Sequence, residues 1–278
     1  MGQRISKKVQ SPEGVASGQT ATVKFAIGSK YHDASLVTNL DLAKITEIRV
    51  IANNKTIHRY SATRRDVINQ FYGLPAYDNA SGLGVLFIPF DRKALKDRVM
   101  EEVTALNTGS KGQNGEMISS LFMEIDIDAT AVNPSIEVYA TVSASDPGGV
   151  GTVMHVTTHN RTAAGAGELE VSDLPFNQPT AAALNAAFLF PSANDISKIV
   201  VERGLYKVFE RTKALNEYMQ VIGERSPQGT VQVVDFTENS YGENALDLRG
   251  YQDFRYRLSM TGAATIGFVS EYLGILGD

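Results

Sequence analysis

The stretch Ile45-Thr-Glu-Ile-Arg-Val-Ile-Ala-Asn-Asn-Lys-Thr-Ile-His-Arg-Tyr60 reads as two short strands around a tight turn. Apolar and polar residues alternate on both sides of Asn53-Asn54, and paired asparagines tolerate the positive φ that such a turn requires. Ser61 then caps a short helix running to about Phe71, with Val67, Ile68 and Phe71 on one face. The same unit returns later in the chain. Ile45, Ile48, Val50 and Ile57 correspond to Ile196, Ile199, Val201 and Val208, each pair 151 positions apart. The second unit turns at Arg203-Gly204. Its helix runs from about Thr212 to Ile222, with Leu215, Met219 and Ile222 on one face. Each helix is followed by a glycine, Gly73 or Gly223, and then by an apolar strand, Gly84–Phe90 or Thr230–Phe236.

A repeat of this length is too long for a solenoid and has the size of a whole domain. Around the first unit, strands are expected at Thr20–Ile27, Tyr31–Thr38, Leu121–Ile127 and Ser135–Val142. Around the second they are expected at Val153–Thr158, Glu168–Val171, Phe254–Met260 and Thr265–Leu273. Glu168–Val171 is read as the return strand after a turn over Thr162 to Gly167. Ala182–Phe190 fits strand or helix by composition, with Phe188, Leu189 and Phe190 favouring strand. Asp91 is expected to open a longer helix, with Leu95, Val99, Val103 and Leu106 at helical spacing and Arg98–Glu102 as a charge pair.

Many short strands without βαβ alternation indicate an all-β sandwich or barrel. The expected fold is two tandem eight-stranded jelly rolls with a few short helices in the connections. An immunoglobulin-like sandwich is the alternative, but it needs fewer residues and no such helix. The division expected is a basic N-terminal arm at 1–13, a first roll at 14–145, a linker at 146–152 around Asp146-Pro-Gly-Gly, and a second roll at 153–278.

Composition narrows the function. The 278 residues include 26 basic and 31 acidic ones, a net charge of −5, unlike a nucleic-acid-coating protein. There is no cysteine, so disulfides and cysteine-held zinc are excluded. No apolar run approaches a membrane span, and Met1 to Gln10 lacks the apolar stretch of an ordinary secretory signal. The expectation is a soluble protein made in the cytoplasm.

Catalytic motifs are scarce. His155 and His159 stand four apart, a ligand spacing on a helix, but on a strand that separation is about 13 Å. Gly109-Ser-Lys-Gly and Gly148-Gly-Val-Gly lack the lysine–hydroxyl ending of a phosphate loop, and no Gly-x-Ser-x-Gly elbow occurs. Tyr251, Phe254 and Tyr256 with Arg255 and Arg257 mix aromatic and basic residues, as a base-stacking surface does, but strand alternation accounts for them. Glu124, Asp126 and Asp128 share one strand face. They are the candidate set for a hard cation such as calcium, or else a solvated or inter-subunit face. Arg4, Lys7 and Lys8 form a basic cluster in what reads as a mobile arm or frayed terminus.

Five stretches carry a family resemblance: Gly14-Val-Ala-Ser-Gly-Gln-Thr-Ala-Thr-Val-Lys-Phe-Ala-Ile-Gly28, Ile45-Thr-Glu-Ile-Arg-Val-Ile-Ala-Asn-Asn-Lys55, Met123-Glu-Ile-Asp-Ile-Asp-Ala129, Glu170-Val-Ser-Asp-Leu-Pro175 and Ser270-Glu-Tyr-Leu-Gly-Ile275. In this order the chain resembles the double jelly-roll major capsid proteins of tailless icosahedral bacteriophages with an internal membrane, of the corticovirus kind. The resemblance implies a structural protein without catalytic residues or nucleic-acid contact. It implies a homotrimer, a pseudo-hexagonal tile in an icosahedral virion shell around a membrane, assembled in the bacterial host cytoplasm. Neighbouring capsomers, minor capsid, vertex and membrane proteins, and viral membrane lipids are the implied partners. Arg4, Lys7 and Lys8 would then meet lipid or neighbouring tiles. The family also suggests calcium, for which Glu124, Asp126 and Asp128 are the first residues to test. The rival readings are a jelly-roll glycan-binding or glycan-hydrolysing protein, which the lack of tryptophan disfavours, and a minor capsid or vertex protein.

Overall fold

The computed structural model describes residues 3–113, 115–193, 195–229 and 231–277. The first half comprises β1 (Ile5–Lys8), β2 (Thr20–Lys24), β3 (Ser29–Thr38), β4 (Ile45–Ala52), β5 (Lys55–Tyr60), α1 (Ala62–Phe71), β6 (Gly84–Pro89), α2 (Arg98–Glu102), β7 (Leu106–Asn107), β8 (Leu121–Ile127) and β9 (Ile136–Ala144). The second comprises β10 (Val153–Ala163), β11 (Gly167–Val171), β12 (Ala183–Pro191), β13 (Ile196–Arg203), β14 (Tyr206–Thr212), α3 (Lys213–Ile222), β15 (Gln232–Asp235), β16 (Leu246–Asp247), β17 (Phe254–Met260) and β18 (Ala264–Gly274).

Each half is a jelly roll, two facing sheets whose consecutive strands mostly lie in opposite sheets. The first roll has β1-β9-β3-β6 against β2-β8-β4-β5; the second has β10-β18-β12-β15 against β11-β17-β13-β14. The two orders are identical when β10 is set on β1. Even the two-residue strands correspond, β7 on β3 and β16 on β12. The helices α1 and α3 superimpose residue for residue at the 151-position offset of the hairpins. The hairpin turns do so with different residues: Asn53 and Asn54 take φ of 50° and 63°, and Gly204 takes 60° in the second roll.

Alternation fills the core. In β8, Leu121, Met123, Ile125 and Ile127 are buried while Phe122, Glu124 and Asp126 are partly exposed. The second roll closes around Leu184, Val201, Val234, Tyr256 and Phe268. The first roll's core does not stop at its own strands: it takes in Ala186, Phe188, Val233 and Val269 from the outer face of the second roll's sheet. One parallel pairing, Val156 with His58, also joins β10 to β5, so the two rolls share a continuous sheet.

Four expectations change. The helix expected from Asp91 is confined to Arg98–Glu102, because Asp91 N–H donates to His32 O instead and Asp97 caps Val99. Leu106 leaves the helix to pair with Tyr31. Glu168–Val171 is not the hairpin partner of the strand before it: β10 stays with β18, while β11 crosses to the opposite sheet and pairs with β17. The N-terminal stretch read as a mobile arm is not loose, since Ile5–Lys8 pairs along β9 as the outer strand of the first roll. Ala182–Phe190 resolves as strand, and Thr230 lies outside the described residues, as do Met1 and Gly2 at the start of the arm.

Candidate assembly surfaces

The joint between the rolls is built by α1. Its amphipathic pattern buries Arg65, Ile68, Asn69 and Phe71, and the Ser61 hydroxyl accepts from Arg64 N–H to start it. Phe71 meets Phe188 edge-on at 5.3 Å between ring centres, and Tyr72 meets the same ring at 5.8 Å. The Arg64 guanidinium lies 5.3 Å above the Phe190 ring. Arg65 stands 3.7 Å from Glu271, both almost fully buried. Glu271 accepts from Tyr72 Oη at 2.7 Å and from Asn185 Nδ2 at 3.0 Å. Arg92 reaches across from the first roll to Asn185 Oδ1 at 2.7 Å and Gly242 O at 3.0 Å.

Buried charge of this kind is costly and is tolerated where opposite charge stands close, as Glu271 does to Arg65. Arg225 donates to Asp235 at 2.9 Å, and burial still pushes the Asp235 carboxyl above its ordinary value. Burial together with Glu271 raises the Tyr72 hydroxyl. His58, at the shared-sheet seam, is pushed down to about 3 by burial, with Arg65 and His155 adding to the effect. A cavity of about 20 Å³ between Arg65, Asp91, Arg92 and Glu271 is the size of a single water. These groups lock two surfaces together; none is arranged around a substrate-sized space.

The residues singled out from sequence fall into separate places. Arg4 forms ion pairs with Glu102 at 2.8 Å, Glu101 at 3.2 Å and Asp91 at 3.5 Å, which ties the chain start to α2. Lys7 lies over the Tyr31 ring at 5.5 Å. Lys8 pairs with Glu137 at 2.7 Å, which raises its ammonium pKa. Glu124 and Asp126 do share a face, and Arg49 from β4 occupies it. Its guanidinium donates to Asp126 at 2.6 and 2.9 Å and to Glu124 at 2.9 Å. The Arg49 hydrogen bonds hold Asp126 below the usual carboxylate range. Asp128, beyond the strand, accepts from Thr130 and lies 3.8 Å from Lys44. His155 Nε2 is bonded to Ile275 O at 2.8 Å, and His159 sits four residues further along β10. An open groove of about 680 Å³ passes these histidines, lined also by Lys55, Arg59 and Pro179, and none of the described residues lining it is a carboxylate that could serve glycoside chemistry.

Sequence reasoning missed two features. One is the buried Arg65–Glu271 joint, whose partners lie 206 positions apart in sequence. The other is α3. Its Asn216 and Gln220 are buried, both donating to Val233 O, so its apolar side turns outward. Leu215, Tyr218, Val221 and Ile222 are 48–65% exposed. The repeat held the signal, since Leu215 and Ile222 align with Arg64 and Phe71 of the joint.

Fold and joint together define a double jelly-roll structural protein. Residues 6–143 match the family model of the viral coat protein P2 N-terminal domain, and residues 153–276 match that of its C-terminal domain. The chain belongs to this viral coat protein family. It is a viral coat protein with the double jelly-roll fold, and its role is structural. Among curated proteins none matches by sequence. Among solved structures, the major capsid protein P2 of bacteriophage PM2 is similar at a TM-score of 0.86 and 18% identity, covering 99% of this chain and 98% of that one. The structure of Sulfolobus turreted icosahedral virus gives 0.69 and 12%, covering 99% and 92%. The PBCV-1 virus capsid gives 0.64 and 7%, covering 98% and 93%.

Proposed function

We propose that three copies of this chain associate into a pseudo-hexagonal capsomer, the repeating unit of a virion shell enclosing a membrane. The observation that carries this is the duplication itself. Two rolls with the same strand order and the same helix positions are joined once within the chain. Three such chains around a three-fold axis present six similar rolls, so a trimer acquires a near-hexagonal outline that packs in a plane. The dense joint supports a rigid tile, because two rolls linked only by a flexible stretch would not hold one outline. On this reading the chain assembles in a bacterial host cytoplasm and meets minor capsid, vertex and membrane proteins at the edges of the lattice.

Light scattering of the purified chain tests the reading. The expected species is a trimer of about 90 kDa, three times the 30.1 kDa chain. A protein that stays monomeric at every concentration, or one that binds oligosaccharide as a monomer, would overturn it. Lys7 and Lys8 remain candidates for contact with anionic lipid, at on the order of 1 kcal/mol each. Unchanged vesicle binding after both are replaced by glutamine would remove them.

A further inference from the structure

We infer that α3 of one copy docks on the outer face of the first roll of a second copy, repeating between chains the joint that α1 makes within one. The inference rests on the trimer reading and names the surface that builds it.

The internal repeat supplies both halves of the contact. Strands β3 and β12 each carry a register shift, at Tyr31/Asp33 and at Leu184/Ala186, which makes His32 the equivalent of Asn185. Ser35 then corresponds to Phe188 and Val37 to Phe190. Cross-strand pairing agrees: Phe188 lies beside Val233 and Val269, and Ser35 lies beside Phe87 and Tyr139. In the second roll this outer face is covered by α1 and belongs to the first roll's core. In the first roll the same face is partly open, with Val85 50% exposed and Val37, Phe87 and Tyr139 half-buried. The helix that would cover it by repetition is α3, and its matching side is uncovered and apolar. One chain therefore carries an unfilled sheet face on one roll and an unseated helix on the other. A second copy fills both by the roll-to-roll step already made inside the chain. Such a head-to-tail contact uses two different surfaces and closes into a ring when the step is repeated. The apolar side of α3 suits a partner met by association, where burial must outweigh lost translational freedom.

The step predicts particular neighbours. Ile222 takes the place of Phe71 and should lie against Ser35 of the next copy; Leu215 takes the place of Arg64 and should lie against Val37 of the next copy. The chain has no cysteine, so engineered pairs report cleanly. The double variants Ile222→Cys with Ser35→Cys and Leu215→Cys with Val37→Cys should give disulfide-linked dimers and trimers under mild oxidation. The four single variants should give none. As a second readout, Tyr218→Asp with Ile222→Glu should keep the circular dichroism and melting of the folded chain while weakening trimer formation at least tenfold. Trimers that form normally in this variant, without inter-chain disulfides in either pair, would place the interface elsewhere and leave the capsomer reading standing. Wild-type chain that never trimerises would overturn both.

Discussion

The helices α1 and α3 occupy the same place in two copies of one fold and turn the same side outward, but that side is covered within the chain in α1 and exposed in α3. Each has ten residues, follows an equivalent hairpin and ends before an equivalent turn. Both helices turn an amide inward to a strand of their own roll, Asn69 to Phe87 O and Gln220 to Val233 O, yet α1 sets Arg64 and Phe71 against the second roll, while the equivalent Leu215 and Ile222 of α3 stay outside. The difference follows from what each helix has to meet. The neighbour of α1 is covalently attached, so its effective concentration is high, and a joint with costly buried charge such as Arg65–Glu271 is tolerable. A helix whose neighbour must be recruited gains more from apolar area, which is inexpensive to desolvate and adaptable in detail. Duplication thus preserved the hairpin–helix unit to the residue and let the two outward surfaces diverge.

The sharpest test of this contrast exchanges nothing but size. Phe71→Ala removes a fully buried ring from the joint and should cost about 3–5 kcal/mol in unfolding free energy. The equivalent Ile222→Ala, 60% exposed, should change the stability of the dilute monomer by no more than about 0.5 kcal/mol. Urea denaturation of both, at concentrations below association, reads the two values. Comparable losses would mean that α3 is packed within its own chain and that the contrast is false.

The seam between the rolls gives a second, pH-dependent asymmetry. His58 and Phe209 are equivalent at the 151-position offset, and only His58 titrates. Its folded-state pKa is about 3 against an ordinary 6.5, because burial excludes the charged ring. The unfolded chain takes up this proton between those values, so stability is full above pH 6.5 and falls as pH drops. By pH 5 the loss is about 2 kcal/mol. Burial lowers the pKa of His155 and His159 as well, which adds in the same direction. His58→Phe, which copies the second roll, should flatten the fall in melting temperature between pH 7 and 5, leaving a smaller residual slope. Parallel curves for wild type and variant would assign the acid sensitivity to other groups.

These contrasts mark what the sequence could and could not reveal. The hairpins were legible because strand alternation and asparagine or glycine at positive φ are local signals. The duplication was legible because the core residues repeat at a fixed interval. The face that each helix buries was not, since the spacing of Leu215, Met219 and Ile222 defines a stripe without saying which way it points. Two carbonyl-seeking side chains, Asn216 and Gln220, decide that through Val233, 17 and 13 positions further along, which the helical spacing does not reveal. The periodicity after Asp91 misled for a related reason. Val99 and Val103 keep helical spacing but stay exposed, while long-range bonds to Asp91 break the run. The strand Ile5–Lys8 was illegible because its pattern is short and polar; pairing along β9 and the Arg4 ion pairs define it. At Glu124 and Asp126 the shared face was readable, but Arg49 filling it was not, since the register of β4 against β8 brings it there.

The smallest predicted effect concerns how the helices begin. Ser61 and Thr212 are equivalent N-cap residues with nearly the same extended backbone, but only the Ser61 oxygen accepts a hydrogen bond, from Arg64 N–H. An N-cap hydroxyl meets one of the free amide groups of the first turn, and losing it costs about 1 kcal/mol. Ser61→Ala should therefore lower stability by about that amount, while Thr212→Ala should leave it within a few tenths of a kcal/mol. The sense of the difference follows from the joint, because α1 must hold Arg65 and Phe71 in register against a partner that cannot move away. A first turn free to fray suits α3, whose face is set only when another surface arrives. If Thr212→Ala proves as costly as Ser61→Ala, the start of α3 is as firmly fixed as that of α1, and the contrast between the helices is confined to their outward side chains.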